Sequence, residues 1–265
     1  MGSKSIIVVK KEGVAWVIFN RPDVMNALDI EAVDSFYESL DELDNDESIK
    51  VVILTGAGKA FSAGGDFNLF LELQAKGNDA TQSFFSKVSR VVLKIAKLKK
   101  FVIASVNGDA MGGGFGFALA SDIIIASEKA RFGLTFIKIG LVPDSGITYF
   151  LPRIVGYHKA KELFVNGEII NAEKALQLNI VNNVVPDDQL ETITADMAKK
   201  LSTNPATAMG FIKRLVDTSM STGDLAAIIE LEMEAQTVCF QSEEANSLIQ
   251  DFFRSRKSRS ERKGK

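Results

Sequence analysis

Three continuous apolar runs constrain this chain more than any other feature. Residues 51–54 (Val-Val-Ile-Leu, closed by Thr55-Gly56), 101–106 and 123–126 have no alternation that would leave one face in water. Such runs read as strands covered on both sides. The second and third each follow a helical segment, and strand, helix, strand in that order predicts an α/β core with parallel strands. Upstream, residues 6–9 and 14–19 are β-branched runs separated by Glu12-Gly13, the pattern of a hairpin. Asp29 is a good N-cap for the helix that follows, where Ile30, Val33, Phe36, Leu40 and Leu43 recur at spacings of three and four and predict one buried stripe. The acidic stretch 41–47 reads as a solvated face. After about Gly156 the strand signals fade, and helical segments separated by Asn, Gly and Pro run to the end. The expected organisation is a β-α core over 1–200 followed by an α-helical region over 201–265, with no composition break marking a long linker.

Composition narrows the chemistry. With 265 residues, 46% hydrophobic and 25% charged, the chain holds one sizeable domain or a domain with a small appendage. A net charge of −3 gives the body no global pull toward nucleic acid or an anionic membrane. One cysteine, Cys239, excludes an internal disulfide framework and any multi-Cys metal site, and reads as a packed, inert thiol. One histidine, His158, excludes His-rich metal sites, so no metal is expected. The apolar run in MGSKSIIVVKK is too short for a signal peptide, and no run approaches the roughly 20 residues that span a bilayer. A cytoplasmic location without a membrane partner is the expectation.

Two segments put flexible backbone directly in front of a helix. Phe61-Ser62-Ala63-Gly64-Gly65-Asp66 follows the strand at 51–55, and Asn107-Gly108-Asp109-Ala110-Met111-Gly112-Gly113-Gly114 follows the strand at 101–106. Glycine lets a ligand approach the main chain, and the first turn of a helix leaves N–H groups unpaired. Either loop alone is as well explained by a tight helix–sheet turn. Neither has the GxxxxGK[ST] or GxGxxG spacing of a phosphate or dinucleotide site. As a pair they suggest two N–H donors converging on one oxygen, the construction of an oxyanion hole.

The order of motifs along the chain resembles one family. Asn20-Arg21-Pro22 with Asn26-Ala27-Leu28, FSAGGD at 61–66, VNGDAMGGG at 106–114, Ser121-Asp122 and GLVPDSG at 140–146 appear as they do in the enoyl-CoA hydratase/isomerase (crotonase) family. The stretches 151–156 and 171–185 look like that family too, so the likeness spans nearly the whole chain. It implies a crotonase-type ββα superhelix, an α/β fold with a C-terminal α-helical trimerisation region. The implied partners are a coenzyme A thioester, bound as substrate so that no separate cofactor is needed, and further copies of the chain in a homotrimer or a hexamer.

By position, the resemblance assigns the thioester-holding N–H groups to Gly65 and Gly113. It places the coenzyme A and acyl chain against Ala27, Leu28, Ala63, Asp66, Phe136, Phe252 and Lys257, with Arg256 a further candidate on the final helix. The two glutamates with which the family's hydratases split water fall at Gly116 and Phe136, and both are absent. That leaves Asp144 as a lone proton shuttle, which fits relatives that move double bonds or isomerise ring-type acyl groups. Phe115, Phe117 and Phe136 are its expected apolar neighbours, able to raise its pKa. The competing reading of Asp144 is a cap on a helix starting near Ser145. For Asp66, capping of the helix 67–75 is favoured, with binding through neighbouring backbone. Residues 67–85 are expected to border the acyl pocket, and His158 to start a surface helix.

An isomerase therefore leads the readings. A hydratase, hydrolase or dehalogenase using the same hole is the alternative. The third is a non-catalytic binding protein of this fold, in which the seven basic residues from Arg254 to Lys265 would serve nucleic acid; two intact loops argue against it, and no nucleic-acid partner is expected.

Overall fold

The first two β-branched runs fold as the hairpin β1 (Ile6–Lys11) and β2 (Val14–Phe19), with Lys11 opposite Val14 across the Glu12-Gly13 turn. The computed structural model describes residues 4–263, with side chains as far as Arg254. The Asp29 carboxylate accepts the Ala32 N–H at 2.8 Å and starts α1 (Ile30–Asn45). Val33, Phe36, Leu40 and Leu43 are buried as the periodicity requires, but Ile30 is 40% exposed. It occupies the first helical position, outside the buried face, and Ala32 takes its place in the stripe.

The chain then repeats one motif. A long strand is followed by a short strand and then by helix: β3 (Val51–Gly56), β4 (Ala60–Ser62), α2 (Phe67–Lys76) and α3 (Asn78–Lys97); β5 (Phe101–Val106), β6 (Asp109–Met111) and α4 (Gly113–Leu119); β7 (Ile123–Ser127) and β8 (Arg131–Gly133), then a 3₁₀ turn at Thr135–Ile139, α5 (Ile147–Val155) and α6 (Tyr157–Asn166). The long strands enter one sheet, in the order β1-β2-β3-β5-β7 and closed by β10 (Asn183–Val185), parallel from β2 onward. The short strands build a second sheet, β4-β6-β8, with β9 (Ile169–Asn171) antiparallel at its edge. This alternation is a ββα superhelix. Strands β9 and β10 lie beyond Gly156, where the sequence pattern predicts helices alone. At three residues each they are too short to show a period of two, and their pairing depends on partners far away in sequence. Helices α7 (Ala172–Gln177) and α8 (Leu190–Ser202) complete this part of the chain.

The chain forms two compact units, Met1–Ser202 and Thr203–Lys265. In the second, α9 (Ala206–Ser219) and α11 (Glu243–Lys263) each contact α10 (Leu225–Phe240). Cys239 on α10 is half-buried, and the flanking Val238 and Phe240 are exposed, so the thiol is less enclosed than its apolar neighbours predict. Among the described residues no helix is long and apolar enough to cross a membrane.

In the first unit, aromatic rings weld helix to sheet. Phe19 of β2 meets Phe36 of α1 at 4.9 Å and Phe61 of β4 at 5.3 Å, and Phe36 meets Phe117 of α4 at 5.4 Å, all four rings fully or nearly fully buried. Edge-on contacts of this kind add to plain burial.

The loop between β2 and α1 is tied by polar groups instead. Asn26, in the left-handed region with φ 57°, is buried, and its amide donates to the carbonyls of Ala57 (2.9 Å) and Ala60 (2.7 Å) while its oxygen accepts the Arg21 N–H (2.9 Å). Arg21 in turn donates to the Ala27 carbonyl and pairs with Asp29 at 2.9 Å and Asp66 at 3.4 Å. Replacing Asn26 by Ala strands these buried backbone groups and removes a side chain that tolerates positive φ. Asn26→Ala is expected to cost about 3 kcal/mol in chemical denaturation, the sum of unsatisfied polar groups and backbone strain.

Candidate active site

Ser62, at the end of β4, donates its hydroxyl to the Asn26 carbonyl at 2.8 Å and accepts the Gly64 N–H at 3.2 Å. Beyond it, the Leu28 N–H donates to Gly64 (2.7 Å) and the Asp66 N–H donates to Leu28 (3.1 Å), a one-residue parallel bridge. Backbone groups of successive residues in such a bridge face opposite ways. With Gly64 and Asp66 turned toward Leu28, the Gly65 N–H is turned away from it. Among the described residues that N–H has no protein acceptor.

The second loop comes alongside. Gly112 takes φ 49° and ψ −121°, which a Cβ would disfavour, donates to the Gly133 carbonyl at 3.1 Å, and launches α4 with Gly113. The Gly113 N–H, first in its helix, likewise has no acceptor among the described residues. The two loops touch: a Cβ on Gly64, whose φ is 83°, would stand 2.7 Å from the Met111 carbonyl oxygen and 3.4 Å from the Gly113 nitrogen. Side chains there would wedge the loops apart.

Both N–H groups border one pocket. Phe67 and Phe70 from α2 and Phe84, Phe85 and Val88 from α3 form one wall, and Thr135, Phe136, Ile139 and Leu141 form another. Leu28, Ala63, Met111 and Ser145 fill in between, and among the described residues Asp144 is the one ionisable member of the lining. Burial raises the Asp144 pKa, opposed by a hydrogen bond from the Ser145 hydroxyl (2.8 Å) and by its own backbone.

Several expectations change here. Asp144 does not cap a helix with its side chain: α5 starts at Ile147 behind Gly146, and only the Asp144 carbonyl is engaged there, accepting the Ile147 N–H. Of the three rings expected around Asp144, Phe136 lines the pocket. Phe115 and Phe117 do not; they are on the core faces of α4, Phe115 against Phe132 at 5.2 Å and Phe117 against Phe36. A one-residue offset on a helix turns a side chain by about 100°, so sequence proximity to Gly113 said little about direction.

Gly116 faces Ser145. A Cβ at 116 would be 2.4 Å from the Ser145 Cβ and 2.6 Å from its carbonyl oxygen, so the space beside Gly116 is already filled. At the other position where an acid would be needed, the Phe136 ring reaches to 3.6 Å from a Cβ on Gly112.

A second hollow adjoins the first, lined by Val24, Ala27, Ala63, Gly65, Asp66, Phe67 and Asn68. Asp66 caps α2 by accepting the Asn68 N–H at 2.9 Å while holding Arg21. His158 is exposed on α6 with its ring beside Tyr157, outside both hollows. Phe252 is exposed on α11 of the second unit, its ring against Phe253. The side chains of Arg256 and Lys257 lie outside the described residues. Sequence reasoning missed Met111, Thr135, Ile139, Leu141 and Ser145. Only the proximity of Ser145 to Asp144 was available as a signal.

Comparison with known proteins agrees with this architecture. The family model described as Enoyl-CoA hydratase/isomerase matches residues 9–263. The chain is 35% identical to a short-chain-enoyl-CoA hydratase of Clostridium acetobutylicum, over 95% of each chain. It is 33% identical to the 1,2-epoxyphenylacetyl-CoA isomerase of Escherichia coli, over 93% of this chain and 94% of that one. A crystal structure of an enoyl-CoA hydratase from Bacillus anthracis superposes with a TM-score of 0.91 at 30% identity, covering 95% of this chain and 96% of the other.

Two outcomes follow from the packing. Gly116→Ala gains about 1 kcal/mol of helix propensity but overpacks Ser145 at a cost of roughly 2–3 kcal/mol, so a net loss of stability is expected in thermal melts. Asp144→Asn should instead leave the protein at least as stable at pH 7. A carboxyl whose folded pKa is raised destabilises the fold above that pKa, and the difference vanishes below the ordinary carboxylate range. Denaturation of both proteins at pH 7 and near pH 3 measures it.

Proposed function

The chain belongs to the enoyl-CoA hydratase/isomerase family, and within that family we propose that it is an acyl-CoA isomerase whose single proton carrier is Asp144. The Gly65 and Gly113 N–H groups hold the thioester oxygen. The Asp144 carboxylate removes a proton from the carbon next to the thioester or from its vinylogous neighbour. The electron pair moves onto the thioester oxygen as an enolate, where each fixed donor is worth roughly 3–4 kcal/mol. Protonated Asp144 then returns its proton to the other carbon, the double bond moves, and no water is consumed. Burial, by raising the Asp144 pKa, narrows the gap to a weak carbon acid.

One observation carries this reading: among the described residues, Asp144 is the sole ionisable one in a pocket otherwise lined by backbone, apolar and hydroxyl groups. Ser145 packed beside Gly116 and the Phe136 ring at the other place favour this reading over a two-acid water-splitting site. The phenyl-rich wall suits an apolar acyl group, aromatic or of medium length. Coenzyme A enters as part of the substrate and is expected along the second hollow, past Ala27, Ala63 and Asp66, with Leu28 in the wall of the first pocket. The second unit, with Ile212, Val216, Leu225, Ile229 and Phe240 exposed, is the proposed site of assembly into a trimer or hexamer, where the exposed Phe252 would meet a neighbour's coenzyme A.

The test is a panel of trans-3-hexenoyl-CoA, crotonyl-CoA and 1,2-epoxyphenylacetyl-CoA in deuterated water, with wild type and Asp144→Asn side by side. Expected is a product with its double bond moved and no water added, deuterium entering it wherever protonated Asp144 exchanges with solvent before returning its proton, and a loss of roughly 10²–10⁴ in rate for the variant, the range of a removed acid–base group. Full activity of Asp144→Asn, or a hydrated or hydrolysed main product, overturns the proposal.

A further inference from the structure

Ser145 is an unusual residue for its place. Its backbone is left-handed, φ 52°, where glycine is the residue of least strain, and Gly146 follows at φ 75°. A non-glycine residue kept in that region at a pocket wall points to a use for its side chain. The side chain is buried, and the hydroxyl donates to Asp144 Oδ1 at 2.8 Å. The same Oγ is 3.3 Å from where a Cβ on Gly113 would stand, so it bridges the carboxylate and the second loop.

Building on the proposed role of Asp144, we propose that Ser145 is a positioning residue: its hydroxyl holds Oδ1 so that Oδ2 faces the acyl group, and it favours the ionised carboxylate that starts the reaction. Among the described residues no other charge competes for this task. Lys87 and Arg90 of α3 are committed to Asp34 and to the Tyr37 ring, and Arg153 of α5 lies on the Tyr149 ring. Asp66 is held by Arg21, and Lys138 is exposed beside Gly167. The influences on Asp144 are burial, the Ser145 hydroxyl and its own backbone.

Two substitutions separate hydroxyl from backbone. Ser145→Ala removes the hydroxyl and keeps the strain; Ser145→Gly removes the hydroxyl and relieves it. The Asp144 pKa is read directly by ¹³C NMR of aspartate-labelled full-length protein, its signal assigned by its loss in Asp144→Asn. Both Ser145 variants are expected to raise that pKa by about one unit, the size of a hydrogen bond to a charged group. On whichever acyl-CoA of the panel is turned over, kcat should fall about tenfold with KM little changed, because Oδ2 is no longer held toward the acyl group while the groups that bind the thioester are untouched. A Ser145→Gly protein with the wild-type pKa overturns the inference, as does one with wild-type kcat. If Asp144→Asn keeps its activity, the proton-carrier reading itself falls; if it is inactive while Ser145→Gly behaves as wild type, only the role of Ser145 falls.

Discussion

Leu28 accepts from Asp66 and donates to Gly64, at 3.1 and 2.7 Å, and the pocket depends on that small bridge. It spends the neighbouring backbone groups on structure and leaves the Gly65 N–H turned away, unpaired among the described residues. Gly65 is only partly buried, at the wall of the pocket, so its N–H can stay free of protein acceptors as long as its surroundings hold that direction. The surroundings here are Asn26 and Arg21 on one side, which fix the loop before Leu28, and Ser62 beneath, which fixes Gly64. Motif residues that touch no substrate in the proposed reaction thus set the direction of one that does.

The same tightness governs what the pocket excludes. Gly64, Gly113 and Gly116 lie against backbone or packed side chains, and each Cβ they lack would press on a neighbour needed elsewhere. At Gly116 the neighbour is Ser145, so the residue beside the carboxylate also occupies the room a second acid would need. Burial of Asp144 fits the same economy: a raised pKa costs stability at neutral pH and suits a group that must both take and release a proton.

The long elements were legible because their signals are local. A run covered on both faces has no period, α1 has one of 3.6, and both can be read without neighbours. Ile30 failed because the edge of a stripe depends on where the helix starts against the sheet. Strands β9 and β10 failed because three residues carry no pattern. The motifs likewise located Gly65, Gly113 and Asp144 near one another through family likeness, whereas the directions of Phe115 and Phe117 were misjudged, since rotation about a helix axis is set by packing.

From the amino-acid sequence alone come a parallel α/β core, a helical C-terminal region, two glycine-rich loops ahead of helices and, through family likeness, the choice of Asp144. Those are matters of residue type and order, and order suffices for them. Folding brings the two loops into contact, puts Phe136 rather than Phe115 or Phe117 in the wall of the pocket that Asp144 also lines, and lets Ser145 grip the carboxylate while filling the space beside Gly116. Each of these joins residues tens of positions apart or turns on a single backbone angle, and only the folded chain specifies distances and directions of that kind.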